Sequence, residues 1–395
     1  MSFETPHDQP LESAMASARL PYDQTVLVLQ GGGALGAYQA GVYEVLRQHE
    51  MEPDWVAGIS IGAVNAAIIA GNAPQDRITA LRGFWEGLGS DYPGEGLARG
   101  RGAAELGYRQ WSGLMSVMAG VPGFYRPWFL PPWFNRPGTP EATSFYDTAP
   151  LRKSLLRYID FERINHGKMR LSLGAVNIRN GNFVYFDTLE KDRVIGPEHV
   201  MASAALPPGF PAVEIDGEPY WDGGLVSNTP LSYVLDQGIA RDTLVFQIDL
   251  FSSEGPDPVT MDEVQERIKD ITFSSRTRLN TDAFTDKYRL RRAIRALSAH
   301  VSPEVRDAVA ARGLPSDTHD GRVSLVHLIN RANRSEIQSK DYEFSRLTLD
   351  DHWRGGMEDA RTVMMETAWR SLPDTEKGLA VYDYTRADAG LSSRG

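Results

Sequence analysis

The stretch Gly58-Ile59-Ser60-Ile61-Gly62 decides the fold of this 395-residue chain. A short apolar run (54–57) precedes it, and small, helix-forming residues (63–71) follow it. This pattern predicts a strand, a one-residue corner and a helix, with the serine hydroxyl held above the sheet in a strained turn. The two glycines suit such a corner because the reversing chain leaves no room for a Cβ atom. The alternative is a chance G-x-S-x-G in a glycine-rich chain, and the strand–corner–helix context argues against it.

A glycine loop follows the buried strand predicted over residues 25–30. It reads Gly31-Gly32-Gly33-Ala34-Leu35-Gly36 and leads into a helix predicted over 37–50. The order strand, loop, helix, strand, helix is typical of a doubly wound α/β sheet. The loop also satisfies the dinucleotide pattern G-x-G-x-x-G, which needs an acid at the end of the second strand. Glu52 and Asp54 come before that strand instead, so the spacing disfavours a nucleotide site.

The two glycine motifs together favour a hydrolase over a nucleotide-binding protein. N–H groups of the loop and of Ile61 point to the place where an oxyanion would form above Ser60. Asp222 is the second chemical candidate, because Asp222-Gly223-Gly224 follows a predicted hairpin over 213–221. A carboxylate within hydrogen-bond reach of a serine can take its proton as a general base. The simpler interpretation of Asp-Gly is a turn, and the neighbouring Asp216-Gly217 receives only that interpretation.

Composition limits the classes of function. The net charge of −11 argues against binding nucleic acid through bulk electrostatics, and the absence of cysteine excludes a thiol nucleophile or thiolate metal site. We expect no cofactor and no metal. No window is apolar enough to span a bilayer, and residues 1–22 lack the pattern of a signal peptide. These features lead us to expect a cytoplasmic protein that is peripheral, if anything, at a membrane or lipid surface.

The chain is predicted to form one α/β hydrolase domain over 23–372, between a disordered tail (1–22) and a polar tail (373–395). Two insertions interrupt this domain, one rich in Gly, Pro and aromatic residues (83–145) and one helical (257–320). The run 127–134 is either a lid or lipid-facing lip, or an irregular loop whose aromatic residues enter the core. A second open question is a basic run that either meets anionic lipid or forms a solvated helix face: Lys287, Arg289, Arg291, Arg292 and Arg295.

Taken together, these motifs resemble the signature blocks of the patatin-like phospholipases. The resemblance rests on the blocks at 31–36, 58–62 and 222–224, with the segment 202–211 before the last one. It covers about residues 24–250 and is closest to a bacterial subgroup with a C-terminal extension. It implies a three-layer α/β/α sandwich with a mostly parallel central sheet. One departure is Leu35, where the family often carries Arg or Lys.

The resemblance also implies lipid acyl-ester hydrolysis by a Ser–Asp dyad without histidine. Ser60 would be the nucleophile, Asp222 the base, and the loop Gly31–Gly33 with Ile61 the oxyanion and substrate-binding site. The expected partner is a lipid or other acyl ester, with peripheral membrane contact and homodimer formation left open. The motifs leave phospholipid, neutral lipid, thioester and polyester substrates undistinguished.

Two further hypotheses compete with the dyad. A His-assisted triad would use the order Ser, Asp, His, for which His300, His327 and His352 follow Asp222. The strand pattern around His327 favours a core histidine, and His199 is a candidate supporting residue. A non-enzymatic module would use the glycine loop only to bind a nucleotide or lipid.

Overall fold

Alternating apolar strands and amphipathic helices build one mixed sheet covered by helices. The computed structural model describes residues 20–384, apart from 92, 101, 191, 238–240, 299, 311–320 and 332–339. The strands within these residues are β1 (Gln24–Leu29), β2 (Trp55–Ile59), β3 (Arg126–Pro127), β4 (Tyr146–Asp147), β5 (Arg170–Asn177), β6 (Phe183–Asp187), β7 (Val213–Ile215), β8 (Glu218–Asp222), β9 (Thr243–Asp249), β10 (Val323–Ile329) and β11 (Leu379–Asp383).

The helices alternate with these strands through most of the chain. Those in the described residues are α1 (Gly36–Gln48), α2 (Ile61–Ala70), α3 (Arg77–Leu88), α4 (Glu95–Ala98), α5 (Ala103–Ala119), α6 (Pro140–Thr143), α7 (Ala149–Tyr158), α8 (Phe161–His166), α9 (Pro197–Ser203), α10 (Leu231–Asp236), α11 (Met261–Phe273), α12 (Thr277–Ser298), α13 (Pro303–Ala310) and α14 (Arg346–Met365). None of them is long and apolar enough to cross a membrane.

The central sheet has the order β11-β10-β9-β1-β2-β5-β8-β7, and β6 pairs with β5. The six strands from β11 to β5 are parallel, whereas β6 and β8 run antiparallel to β5 and β7 runs antiparallel to β8. Parallel strands place their carboxyl ends, and the loops that follow them, at one edge of the sheet.

Side chains alternate between the two faces of β1, and each face is buried under different helices. Leu27 and Leu29 pack into a core shared with α1, α2 and α14, while Val26 and Val28 pack with α10 and α12. The sheet is therefore buried on both sides, which explains the continuous apolar run in β1. The predicted three-layer α/β/α architecture with a mostly parallel sheet is confirmed.

The structure corrects several predicted boundaries. The glycine-rich insertion contains a 17-residue helix, α5, that the sequence pattern did not indicate. The helix expected from residue 145 begins at Ala149, because residues 146–147 pair with β3 instead. The tail expected after residue 372 includes β11, which pairs in parallel with β10 and extends the sheet. Of the tails predicted at 1–22 and 373–395, residues 1–19 and 385–395 lie outside the described residues.

Helices α1 and α14 cross at two glycines. A Cβ atom at Gly356 would run into the carbonyl oxygen of Tyr38, and one at Gly41 would run into that of Trp353. The two backbones therefore touch, and a larger residue at either position would force the helices apart.

We expect Gly356→Ala to lower the free energy of unfolding by about 2 kcal/mol or more, because the added methyl group overpacks this crossing. Gly355→Ala is the matched control, since its Cβ would meet nothing nearer than 3.9 Å. That variant should be neutral or stabilised by up to about 1 kcal/mol through helix propensity. Denaturant unfolding measures both, and equal effects would contradict the close crossing.

Candidate active site

Ser60 occupies the corner between β2 and α2 with a strained backbone. Its φ of 57° and ψ of −126° are unusual for a residue with a side chain. The tight packing around it explains why glycines flank the serine. A Cβ at Gly62 would lie 2.7 Å from the carbonyl oxygen of Gln30, and one at Gly58 would lie 2.7 Å from the nitrogen of Ala63. The predicted strand–corner–helix arrangement is confirmed.

The glycine loop lies beside this corner because β1 and β2 are neighbours in register, with Leu29 opposite Gly58. A Cβ at Gly31 would be 2.9 Å from Cβ of Ser60, so the loop contacts the serine directly. Gly33 has a φ of 56°, in the left-handed region that favours glycine.

The loop N–H groups divide into two sets. Gly31 N–H donates to the carbonyl of Asn228 at 3.1 Å, and Ala34 N–H donates to that of Asp341 at 2.9 Å. The N–H group of Gly31 is therefore already engaged within the protein. In the described part of the chain, the N–H groups of Gly32 and Gly33 make no main-chain hydrogen bond. Those two groups are available to a ligand.

Sheet register brings Asp222 to the same place from far along the chain. Ile59 is paired with Gly174 in β5, and the next residue of β5, Ala175, is paired with Asp222. A Cβ at Gly223 would be 2.7 Å from the carbonyl oxygen of Gly174, so the turn after Asp222 needs a glycine to pass this closely.

The carboxyl group of Asp222 is buried, with 1% of the residue exposed. Oδ1 accepts a hydrogen bond from Gly224 N–H at 2.7 Å, and Oδ2 has no hydrogen-bond partner among the described residues. Burial raises the pKa of Asp222 to about 7, although the Ser60 hydroxyl and the Gly224 N–H both lower it. Desolvation outweighs the influence of these two neighbouring polar groups, so this carboxyl is a far stronger base than a solvated aspartate.

These groups share one pocket of about 300 Å³. Gly31, Gly32, Gly33, Ser60, Ile61 and Asp222 all line it, so the structure brings together every predicted site residue. The remaining wall is mostly apolar and aromatic, and it includes Val117, Phe124, Tyr125, Tyr146, Phe210, Phe251, Phe273 and Phe344. Both insertions contribute to it, through Phe124 in one and Phe273 in the other.

Three polar residues that sequence reasoning missed support the site, and two of them, Ser203 and Gln30, are fully buried. Ser203 Oγ accepts a hydrogen bond from Ser60 N–H at 3.0 Å and donates to the carbonyl of Gly174 at 2.6 Å. It therefore ties the strained corner to β5.

Gln30 and Asn228 connect the loops around the pocket. Gln30 Oε1 accepts from the N–H groups of Leu250 and Phe251 at 2.6 and 2.9 Å, and its Nε2 donates to Thr229 Oγ1 at 2.8 Å. Asn228 Nδ2 donates to the carbonyls of Gly31 and Phe273, both at 3.0 Å. The only sequence signal for these residues is a polar side chain next to a motif.

The histidine hypothesis finds no geometric support. The described residues that line the pocket include no histidine. His327 binds Asp249 at 2.6 Å through Nε2, in a buried network at the end of β9 and β10. His199 Nδ1 accepts from Gly196 N–H at 2.9 Å, and burial lowers the pKa of His352 to about 3. His300 lies in the segment after α12, outside the pocket lining.

The acids required by a nucleotide site are also misplaced. Glu52 forms ion pairs with Arg47 and Arg77, and Asp54 accepts from Thr25 N–H at 2.9 Å. Both acids precede β2, at the edge of the sheet opposite the glycine loop.

In the basic run, Lys287 pairs with Asp236 and Arg292 donates to the carbonyl of Thr375 at 2.6 Å, as a structural helix face would.

A strained serine, a buried carboxylate and loop amides without a main-chain partner among the described residues lie together at the carboxyl edge of a doubly wound sheet, an arrangement expected of an α/β ester hydrolase. A family model described as patatin-like phospholipase matches residues 27–235, and another described as patatin phospholipase matches 271–376. The chain belongs to the patatin-like phospholipase family. The second match extends this assignment to residues 271–376 in the C-terminal part of the chain.

Two individual proteins are similar to this chain to different extents. A triacylglycerol lipase, SDP1L of Arabidopsis thaliana, is 34% identical over 76 residues, which are 19% of this chain and 10% of that protein. The crystal structure of VipD from Legionella pneumophila aligns with 87% of this chain and 67% of its own, at 13% identity and a TM-score of 0.36.

The raised pKa of Asp222 has a consequence for stability. Its ordinary pKa of 3.8 applies when the chain is unfolded, and the folded value is about 7. Between these two values the folded state holds a proton that the unfolded state has lost, so rising pH destabilises the fold.

We therefore expect Asp222→Asn to be more stable than the wild type above pH 7, by on the order of 3 kcal/mol, and equally stable near pH 4. Denaturant unfolding of both proteins at several pH values isolates this carboxyl, because all other groups are shared. A stability difference that does not change between pH 4 and pH 8 would contradict the raised pKa.

Proposed function

We propose that this protein is a serine acyl-ester hydrolase that acts on lipid-like esters through a Ser60–Asp222 dyad. The observation that carries the proposal is the meeting of a strained corner serine with a buried, partly unpaired carboxylate in one apolar pocket. Family membership supports hydrolysis of lipid acyl esters. The roles of the individual residues rest on geometry and chemistry.

In the first half-reaction, Ser60 Oγ attacks the ester carbonyl carbon while its proton moves to Asp222. The carbonyl electron pair becomes an oxyanion that accepts hydrogen bonds from N–H groups of Gly32, Gly33 and Ile61. Collapse of this intermediate breaks the bond to the alkoxy group, which leaves as an alcohol with the proton from Asp222. The acyl group remains on Ser60.

In the second half-reaction, water gives a proton to Asp222 and attacks the acyl carbon. Collapse breaks the bond to Ser60 Oγ, which recovers the proton, and the carboxylic acid leaves. Asp222 thus acts as base and then acid in each half. A carboxyl group with a pKa of about 7 suits both tasks at neutral pH, because it gains and loses a proton with little free-energy cost.

The pocket supports an acyl chain as the group recognised. Its volume of about 300 Å³ is at the small end of ligand cavities, and its lining is dominated by aromatic rings. Phe124, Tyr125 and Phe210 contact one another with ring centroids 5.2 to 5.7 Å apart, which makes a continuous apolar wall. The similarity to a triacylglycerol lipase is consistent with such a substrate.

Ser60→Ala and Asp222→Ala should each lower turnover of a short-chain aryl ester by at least about a thousandfold, because each removes a reacting group. The wild type should also react with a fluorophosphonate at Ser60, and Ser60→Ala should not. His327→Ala is the control for a histidine triad and should keep its turnover within about threefold. Unchanged turnover in either dyad variant would refute the mechanism, and a loss at His327 equal to that at Asp222 would favour the triad.

Ser203 is predicted to position the nucleophile without touching substrate. Ser203→Ala leaves the Ser60 N–H and the Gly174 carbonyl without their hydroxyl partner, so the strained corner loses a restraint worth about 1–3 kcal/mol. We expect kcat to fall at least about tenfold with little change in KM.

Ser172→Ala is the matched control for this prediction. Ser172, in β5, is fully buried like Ser203. Its hydroxyl likewise makes two hydrogen bonds: it accepts from Trp55 Nε1 and donates to Asp187. This variant should lose similar stability but keep its kcat. If both variants lower kcat equally, Ser203 has only a structural role.

A further inference from the structure

The insertion over 83–145 carries an exposed apolar surface next to the pocket. Residues 128–134 read Trp-Phe-Leu-Pro-Pro-Trp-Phe and contain no charged side chain. Three of their rings are strongly exposed: Phe129 by 99%, Trp133 by 80% and Phe134 by 74%. We call these seven residues, together with Phe145, the aromatic lip.

The lip is joined to the pocket wall by backbone hydrogen bonds. Trp128 N–H donates to the carbonyl of Phe145 at 3.2 Å, and Phe145 N–H donates to the carbonyl of Pro208 at 3.1 Å. Pro208 lines the pocket. The ring of Trp133 lies 5.9 Å from that of Phe145, so the exposed rings continue outward from the wall.

Helix α5 carries further exposed apolar side chains next to Tyr146, which also lines the pocket. The Tyr146 hydroxyl donates to the carbonyl of Val117 at 2.9 Å. Val117 lines the pocket and is 40% exposed, while Met118 and Leu114 beside it are 67% and 57% exposed. Apolar side chains therefore border the pocket from two directions.

We propose that this surface docks the enzyme on an electrically neutral phospholipid bilayer, so that esters enter the pocket directly from lipid. The proposal rests on the function proposed above, because a lipid hydrolase must meet substrate that is aggregated. A ring exposed by 99% protrudes, and a protruding ring enters the headgroup region of a bilayer without a shaped partner.

Two features favour a neutral bilayer as the partner of this surface. Trp and Phe favour the boundary between water and hydrocarbon, where ring surface is buried and the indole N–H stays hydrated. The lip itself is uncharged, the nearby Arg126 is paired with Asp147, and the whole chain carries a net charge of −11, so the proposed binding rests on apolar rings rather than on attraction to anionic lipid. Insertion of apolar rings accounts for binding to a neutral surface without electrostatic attraction.

The test is flotation with vesicles of phosphatidylcholine, using Ser60→Ala protein so that no lipid is hydrolysed. This background should bind the vesicles, and adding Phe129→Ser, Trp133→Ser and Phe134→Ser should weaken partition by at least about tenfold. An apolar variant, Trp133→Phe with Phe134→Leu, should bind within about threefold of the background. Circular dichroism and the melting temperature establish that each variant is folded.

The matched control is Leu189→Ser with Val194→Ser. These side chains are 64% and 72% exposed, and they lie near the start of β5, at the other edge of the sheet from the pocket. The control should keep full binding. Equal loss in the control, unchanged binding of the lip variant, or failure of the Ser60→Ala protein to bind neutral vesicles would overturn the proposal.

A second copy of this chain is the alternative partner for this surface, and size-exclusion chromatography tests for it. A concentration-dependent dimer that the lip substitutions dissociate would assign the surface to self-association and overturn membrane docking. Because binding is measured on a protein without the Ser60 hydroxyl, failure of the dyad would leave these outcomes unchanged. Docking and chemistry are thus tested independently.

Discussion

The structure depends on one steric constraint, the close passage of α2 over the ends of β1 and β2. Carbonyl groups of Leu29 and Gln30 stand where any side chain at position 62 would lie. The chain can reverse there only if Ser60 adopts a backbone conformation that costs of order 1–3 kcal/mol. The buried packing of β2 and α2 and the hydrogen bond that the Ser60 N–H donates to Ser203 Oγ offset this cost. The position of the Ser60 hydroxyl in the pocket is therefore a consequence of core packing.

The same constraint organises residues that are distant in sequence. Since β1, β2 and β5 are parallel neighbours, the glycine loop, the Ser60 corner and Gly174 share one edge of the sheet. The antiparallel β8 delivers Asp222 to that edge from the outer side of β5. Gln30 then connects the loop after β9 to the segment after Asp222. Sheet register thus sets the positions of these loops, and buried amide hydrogen bonds fix their orientation.

Local constraints could be predicted from the sequence, and long-range hydrogen bonds could not. Gly58 and the turn at Gly217 reflect backbone limits within a few residues, so their motifs indicated them directly. Ser203 and Asn228 act through partners 143 and 197 residues away, and a single polar residue in a sequence carries no trace of such a partner. Helix α5 was missed because glycines at 107 and 113 obscure its amphipathic pattern.

The aromatic insertion shows why composition alone left two interpretations open. Phe124 and Tyr125 are each 6% exposed and wall the pocket, whereas Phe129, a few residues later, is almost fully exposed. A single run of similar residues thus serves the core and the surface, and the two-residue strand β3 lies between the two parts. Both insertions are also attached to the reacting region. The Phe273 carbonyl at the end of α11 accepts hydrogen bonds from both Gln30 and Asn228, and Asn228 also donates to the carbonyl of Gly31 in the glycine loop. A displacement of α11 would break those bonds, so the walls that admit substrate and the amides that would stabilise an oxyanion are mechanically one unit.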